Sequence, residues 1–271
     1  GSEYALPSDH PFLTGLDREE HSIETWLGRL PRFVSLITAR PFRRIAVLWR
    51  RVRLNHVRFT PLGGVGEVGA NSYLVEMGGL RVLLDCGLHP KKEGFDALPD
   101  FSVLKEPPNA AIITHGHIDH CGAVPYLAKI CPHTPIYSTG PTLRIMDRML
   151  HNSVSVMGIL HDEQGIDEYP LYEHADVDVA LRRATSIDFH REFLLSADSP
   201  LRVEFSRAGH VLGGACGRLS TPDHTLIFTG DICLTPQELM PGYERPRVQE
   251  SVDTLIIEST YGANEQADSV S

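Results

Sequence analysis

Four side chains of metal-binding type, His115, His117, Asp119 and His120, fall within six consecutive residues as H-x-H-x-D-H. That run restricts the fold more than any other part of the chain. The bland alternative, titratable groups crowded on one tight loop by coincidence, is the weaker reading of such a cluster. The run follows the apolar segment Ala110–Thr114 and precedes a helical pattern that starts near Ala123. It is therefore predicted on a loop leaving the C-terminal end of a strand, where open α/β sheets place their chemistry. Imidazole combined with carboxylate suits zinc or another borderline divalent metal. The alternation predicts that His115 and His117 reach one ion, while Asp119 and His120 turn toward a second about 3.5–4 Å away.

Further candidates lie downstream. Small residues flank His210 in the segment Ala208-Gly209-His210-Val211-Leu212-Gly213-Gly214-Ala215, so the backbone there can approach a crowded site. Phe228-Thr229-Gly230-Asp231 places an acid at the next strand end. His210 is expected to complete the first ion's shell and Asp231 to bridge the two ions. Asp85 closes the strand Val82-Leu83-Leu84. It is expected just outside the ligands, accepting a hydrogen bond from the other nitrogen of a ligand histidine. Its alternative is an ordinary strand-end turn before Gly87. About 90 residues separate His120 from His210. Such a gap is too long for a zinc finger and suits an enzyme whose ligands converge from distant strand ends.

Strand-like runs are predicted from Val57, then at 72–75, 81–85, 110–114, 136–138, 202–206, 216–220, 225–229 and 254–258. Helical patterns cover about 123–131, 141–158 and 176–184. The acidic stretch 162–178 reads as a solvated face. With 271 residues the chain has room for one or two domains. A hydrophobic content of 42% and a charged content of 22% are ordinary for a soluble globular protein. No apolar run reaches about 18 residues, which argues against a membrane-spanning helix. Cysteines 86, 121, 131, 216 and 233 are odd in number and form no C-x-x-C pair. This argues against a disulfide framework and for a reducing compartment, the cytoplasm. The cysteines are expected as small buried residues behind the site rather than as ligands.

Charge divides the chain. Nine arginines and no acid lie between Arg29 and Arg58, so the remainder carries −19 against a net of −10. Residues 1–54 read as a basic N-terminal extension, with a helix from about Ser22 to Ala39 and a break at Pro41. The core is predicted over 55–262 and a polar tail over 263–271. Phe33, Leu36, Ile37, Phe42, Ile45, Leu48 and Trp49 are interleaved with the arginines. The segment thus fits phosphate-backbone contact, a membrane-surface or partner-binding helix, or a packing helix with a solvated arginine face. The opening Gly1-Ser2, in place of a starting Met, reads as a cloning scar, so the sequence is expected to be a piece of something longer.

The segments LDCG, THGHIDH, AGHVLGGA, FTGD and IESTYG occur in the order seen in metallo-β-lactamase-fold hydrolases. Within that superfamily they most resemble the β-CASP nucleases, over about residues 57–262. PLGGVGEVGANSYLVE (61–76) and THGHIDHCGAVPYL (114–127) resemble ribonuclease J. AGHVLGGA resembles the endonuclease of eukaryotic pre-mRNA 3′-end cleavage and its prokaryotic relatives. The resemblance implies an α/β fold, the αββα sandwich, with two zinc ions. It puts His115, His117 and His210 on one zinc, Asp119 and His120 on the second, and Asp231 between them. Asp119 would also orient the attacking water. Glu258 matches the acid of the first β-CASP motif, which supports a catalytic histidine further along. An aspartate rather than a cysteine at 231 points away from true β-lactamases and toward phosphodiester or thioester substrates. The implied function is hydrolysis of RNA, or DNA, by water activated by two zinc ions, with RNA favoured.

The sequence departs from that pattern at its end. The family has two further histidines after Asp231 and an inserted β-CASP domain, whereas the last histidine here is His224. The chain is therefore expected to be truncated before the insertion, with its second zinc short of a ligand. A missing C-terminal region or a second polypeptide would complete the site, and a homodimer is also open. The alternatives are a small-molecule thioester hydrolase of the same superfamily and an inactive scaffold subunit of a nucleic-acid-processing assembly.

Overall fold

The computed structural model describes residues 57–246 and 251–260, together with the backbone of 34–37. It contains two six-stranded sheets. The first runs in chain order: β2 (Val57–Gly63), β3 (Ser72–Met77), β4 (Leu80–Leu84), β5 (Ala110–Ile112), β6 (Ile136–Ser138) and β7 (Ala184–Ser186). The second is ordered β1 (Val34–Ile37), β12 (Thr254–Glu258), β11 (His224–Phe228), β10 (Ala215–Thr221), β9 (Arg202–Arg207) and β8 (Phe193–Leu194).

Strand alternation makes two cores from these sheets. Tyr73, Val75, Val82, Leu84 and Ile112 of the first sheet meet Val203, Phe205, Leu219, Leu226, Phe228 and Ile256 of the second. The intervening Leu74, Leu83 and Ala111 face the other way, against the helices. The α-helices among the described residues are α1 (Ile118–Cys121), α2 (Val124–Ile130), α3 (Gly140–Gln164) and α4 (His174–Arg182). All of them contribute to the core on that face, through Cys121, Leu127, Met146, Leu150 and Val177 among others.

Topology explains this one-sidedness. β4 through β7 are parallel neighbours, and parallel strands require crossovers. The crossovers after β5 and β6 carry α1–α2 and α3–α4, and a constant crossover hand puts both pairs on one face. β8–β11 are antiparallel neighbours that need no helix between them. Among the described residues, three layers of the expected αββα sandwich are therefore present. On the outer face of the second sheet Ile227, Val252, Leu255 and Ile257 form only a small apolar cluster.

Local signals set the helix ends. Thr139 caps α3 by accepting from the Thr142 backbone N–H at 3.3 Å, and Gly165 closes it in the left-handed conformation at φ 70°. This helix runs past the expected end near 158, because Gly158 is accommodated within it. Glu173 and Asp176 form a capping box on α4. Two short strands, β7 and β8, fall beyond the acidic stretch 162–178, where no strand was predicted.

One expectation is corrected. The helix predicted over Ser22–Ala39 is contradicted at Val34–Ile37, which is a strand paired in parallel with β12 from Val34↔Leu255 to Ile37↔Glu258. Two of its residues, Val34 and Ile37, are β-branched, and Pro31 and Pro41 bound the run; both features favour an extended chain. The rest of the basic extension and the tail 263–271 lie outside the described residues. No helix among the described residues is long and apolar enough to cross a membrane.

Candidate metal centre

The predicted site residues gather where the C-terminal ends of strands from both sheets meet. Asp85 follows β4, the H-x-H-x-D-H run follows β5, His210 follows β9, Asp231 follows β11, and Glu258 ends β12. His117 caps the N-terminus of α1, which then carries Asp119 and His120.

His115, His117, His210 and Asp231 form a group whose ligand atoms all lie within 4.8 Å of one another. His117 Nδ1 is 3.1 Å from His115 Nε2 and 3.3 Å from His210 Nε2. Beside this group, His120 Nε2 lies 3.6 Å from Asp119 Oδ2 and 3.3 Å from Asp231 Oδ1. The other oxygen of Asp231, Oδ2, is 3.6 Å from His210 Nε2. One carboxylate thus presents an oxygen to each cluster, as a bridging acid would.

Asp85 lies behind both clusters, fully buried. Its Oδ1 accepts from the Thr114 backbone N–H at 2.7 Å, and its Oδ2 accepts from the Thr114 hydroxyl at 2.8 Å. His120 Nδ1 lies 2.8 Å from the same Oδ2. With its proton given to Asp85, Thr114 Oγ1 is left to accept from His115 Nδ1, 3.0 Å away. One carboxylate therefore orients two imidazoles, one directly and one through a hydroxyl, so that each Nε2 faces the site. Asp85 takes a positive φ of 59°, a conformation aspartate tolerates better than most residues, and this aims its carboxylate between Thr114 and His120.

The electrostatics favour a cation here. Burial, helped by His120, His117 and His210, holds the His115 pKa well below the usual imidazole range. Burial and His210 lower His117 in the same direction, so both rings keep free lone pairs at neutral pH. Burial likewise resists a charge on His120, but Asp85 and Asp231 outweigh it and push that pKa well above its ordinary value. Burial would raise Asp231, yet His120, His210 and His117 hold it below the normal carboxylate range. The uncharged His115 and His117 rings beside the ionised, part-buried Asp231 are a donor set that zinc fits, whereas a metal at His120 has to displace that ring's proton.

Residues 65–264 match the Metallo-beta-lactamase superfamily. The chain belongs to this superfamily. Three curated relatives are similar to this chain over about three quarters of its length. Transcription termination factor FttA of Cenarchaeum symbiosum is 32% identical over 219 residues, covering 78% of this chain and 32% of its own. Cleavage and polyadenylation specificity factor subunit 3 of Dictyostelium discoideum is 32% identical, covering 76% of this chain and 26% of its own. Integrator complex subunit 11 of Danio rerio is 31% identical, covering 76% and 34%. The chain spans about a third or less of the length of the relatives it matches.

A cleft of about 70 Å³ opens beside Asp119, His120 and Asp231, lined also by Asn71, Tyr73, Phe228 and Glu258. Glu258 is fixed there by the backbone N–H groups of Thr260 at 2.8 Å and Ile232 at 3.5 Å, from which it accepts. A larger groove of about 620 Å³ is lined by Phe95, Phe101 and Tyr126 with Glu67, Asp96 and Asp100. It gathers no cluster of ligands, and its acids would repel a polyanion. The cysteines are free thiols, and all but Cys233 are buried. None joins the ligand group.

Three residues of this metallo-beta-lactamase site escaped the sequence reading: Asn71, Tyr73 and Thr114. Their signal was present but weak, as polar groups at the ends of apolar strands. Gly87 was passed over too. An added β-carbon there would overlap the Asp119 carbonyl, because the segment after β4 runs against α1, with Leu88 N–H donating to Ile118 O at 2.9 Å. Gly87→Ala is expected to displace Asp119 and weaken zinc binding while the protein remains folded. Equilibrium dialysis against graded chelator, alongside circular dichroism, checks this; unchanged zinc affinity would refute it.

Proposed function

We propose that the protein is a zinc-dependent hydrolase that cleaves phosphodiester bonds in RNA. The observation that carries this reading is the placement of Asp231 between two ligand sets, with one oxygen 3.3 Å from His120 and the other 3.6 Å from His210. His115, His117, His210 and Asp231 would hold one zinc, and Asp119, His120 and Asp231 the other. Ions bound there supply Lewis-acid charge that lowers the pKa of water and offsets the charge gathering on phosphate oxygens.

The chain's own residues supply orientation. Asp231 keeps the two ligand sets at a fixed separation. Asp85 and Thr114 hold the rings of His120 and His115 so that they need not reorganise during reaction. The Asp119 carboxylate faces the cleft and accepts a hydrogen bond from the attacking water, aiming it at phosphorus. Glu258 supports the group that protonates the leaving oxygen, which would come from outside the described residues. The second ligand set has three members. A fourth would come from outside the described residues or from a partner subunit, a second copy of the chain included.

RNA as the substrate class is supported by the names of the relatives, which speak of transcription termination and of cleavage with polyadenylation. Aspartate rather than cysteine at 231 suits phosphodiester or thioester substrates, and the relatives' names favour the first. Free, largely buried thiols fit a reducing compartment such as the cytoplasm. The test is cleavage of end-labelled RNA by the full-length protein supplied with zinc, with His117→Ala and a thioester substrate alongside. Cleavage of RNA alone, lost in His117→Ala, is expected. Equal RNA cleavage by both proteins, or turnover of the thioester only, would overturn the reading.

A further inference from the structure

Asn71 lies just ahead of β3, and every polar atom it owns is used around the second ligand set. Its backbone N–H donates to Asp119 O at 2.9 Å, and its backbone carbonyl accepts from Gly87 N–H at 3.0 Å. The side-chain Nδ2 donates to the same Asp119 carbonyl at 3.1 Å. It also lies 3.5 Å from Asp119 Oδ2 and 3.0 Å from His120 Nε2. On the opposite side, Asn71 Oδ1 accepts from the Tyr73 hydroxyl at 2.9 Å.

The direction of this amide is determined by its neighbours. Asp119 O can only accept, so Nδ2 must face it, and the Tyr73 hydroxyl then donates to Oδ1. Tyr73 is itself held in place, stacked on Phe59 with ring centroids 5.6 Å apart and edge-on to Phe228 at 5.7 Å. A rigid ring from the inter-sheet core therefore fixes an amide, and the amide fixes the first turn of α1. That turn is four residues long and has no side-chain cap of its own. A free helix of this length would be unstable. Asp119 and His120 thus depend on Asn71 for their positions, whereas His115, His117 and His210 make no contact of this kind with it.

We infer that Asn71, oriented by Tyr73, is a positioning residue for the second metal site, holding Asp119 and His120 in register with Asp231. The inference rests on the two-metal reading above. Its role differs from that of Asp85, which reaches both ligand sets. Asn71 acts on one of them only, and this makes it separable by experiment.

Cobalt(II) titration of the full-length protein, followed by visible absorption, resolves successive equivalents without any need for turnover. Asn71→Ala is expected to weaken the second equivalent by about 10- to 100-fold while leaving the first unchanged. Tyr73→Phe keeps the ring packing and removes only the hydroxyl, so it should move the second equivalent in the same direction by a smaller factor. This variant carries the test if Asn71→Ala does not fold. Equal weakening of both equivalents, or no change in either, would overturn the role assigned to Asn71. Uptake of fewer than two equivalents by the unaltered protein would overturn the two-metal reading itself, and the inference with it.

Discussion

Asp231→Ala is expected to lower RNA cleavage by about a thousandfold or more and to weaken both metal sites together. The size follows from several kcal/mol of charge stabilisation lost at the reacting phosphate, each 1.36 kcal/mol being worth about tenfold in rate. The joint effect follows from geometry, since Asp231 presents Oδ1 toward His120 and Oδ2 toward His210. His210→Ala provides the contrast: it should weaken the first metal and spare the second. Single-turnover cleavage under excess enzyme, together with metal content after dialysis, measures both. If Asp231→Ala lost only one metal, the bridging role would fail even with activity abolished.

Asp85→Ala should act on folding as well as on metal. The carboxylate is fully buried and accepts hydrogen bonds from the Thr114 backbone and hydroxyl, with His120 Nδ1 against the same oxygen. Removing one partner of a buried ion pair typically costs about 3–5 kcal/mol, because the other partner keeps its desolvation penalty. Asp85→Asn retains the shape and one acceptor, so a smaller loss of about 1–3 kcal/mol is expected. Urea unfolding of the metal-free protein tests the pair of variants. A midpoint unmoved by Asp85→Ala would show that His120 finds other partners and that Asp85 does not hold the site together.

Much of the site was legible as sequence because metal chemistry needs particular side chains at strand ends. The H-x-H-x-D-H run, His210 and Asp231 could be picked out from residue type, flanking glycines and the preceding apolar runs. Four of these, His115, His117, His210 and Asp231, converge with their ligand atoms within 4.8 Å of one another. Most strands of the two sheets were legible for a similar reason, since alternation and β-branching are local properties, but the two- and three-residue strands β8 and β7 were too short to show either. β1 was not legible. Its arginine-rich, apolar surroundings carry a helical pattern, and only pairing with β12, more than 200 residues away, makes the extended form favourable.

Asn71, Tyr73 and Thr114 illustrate the other limit. An asparagine before a strand could serve a turn, a cap or a surface, and nothing in neighbouring residues chooses among these. The choice is made when Asp119, 48 positions away, brings its carbonyl to the amide. Sequence by itself determined which side chains could bind a metal and where most of the strands and helices lie, since both depend on residue type and short-range periodicity. Tertiary structure alone decided how those side chains are aimed. Hydrogen bonds act over about 3 Å, and residues remote in the chain reach that range only when packing brings them there.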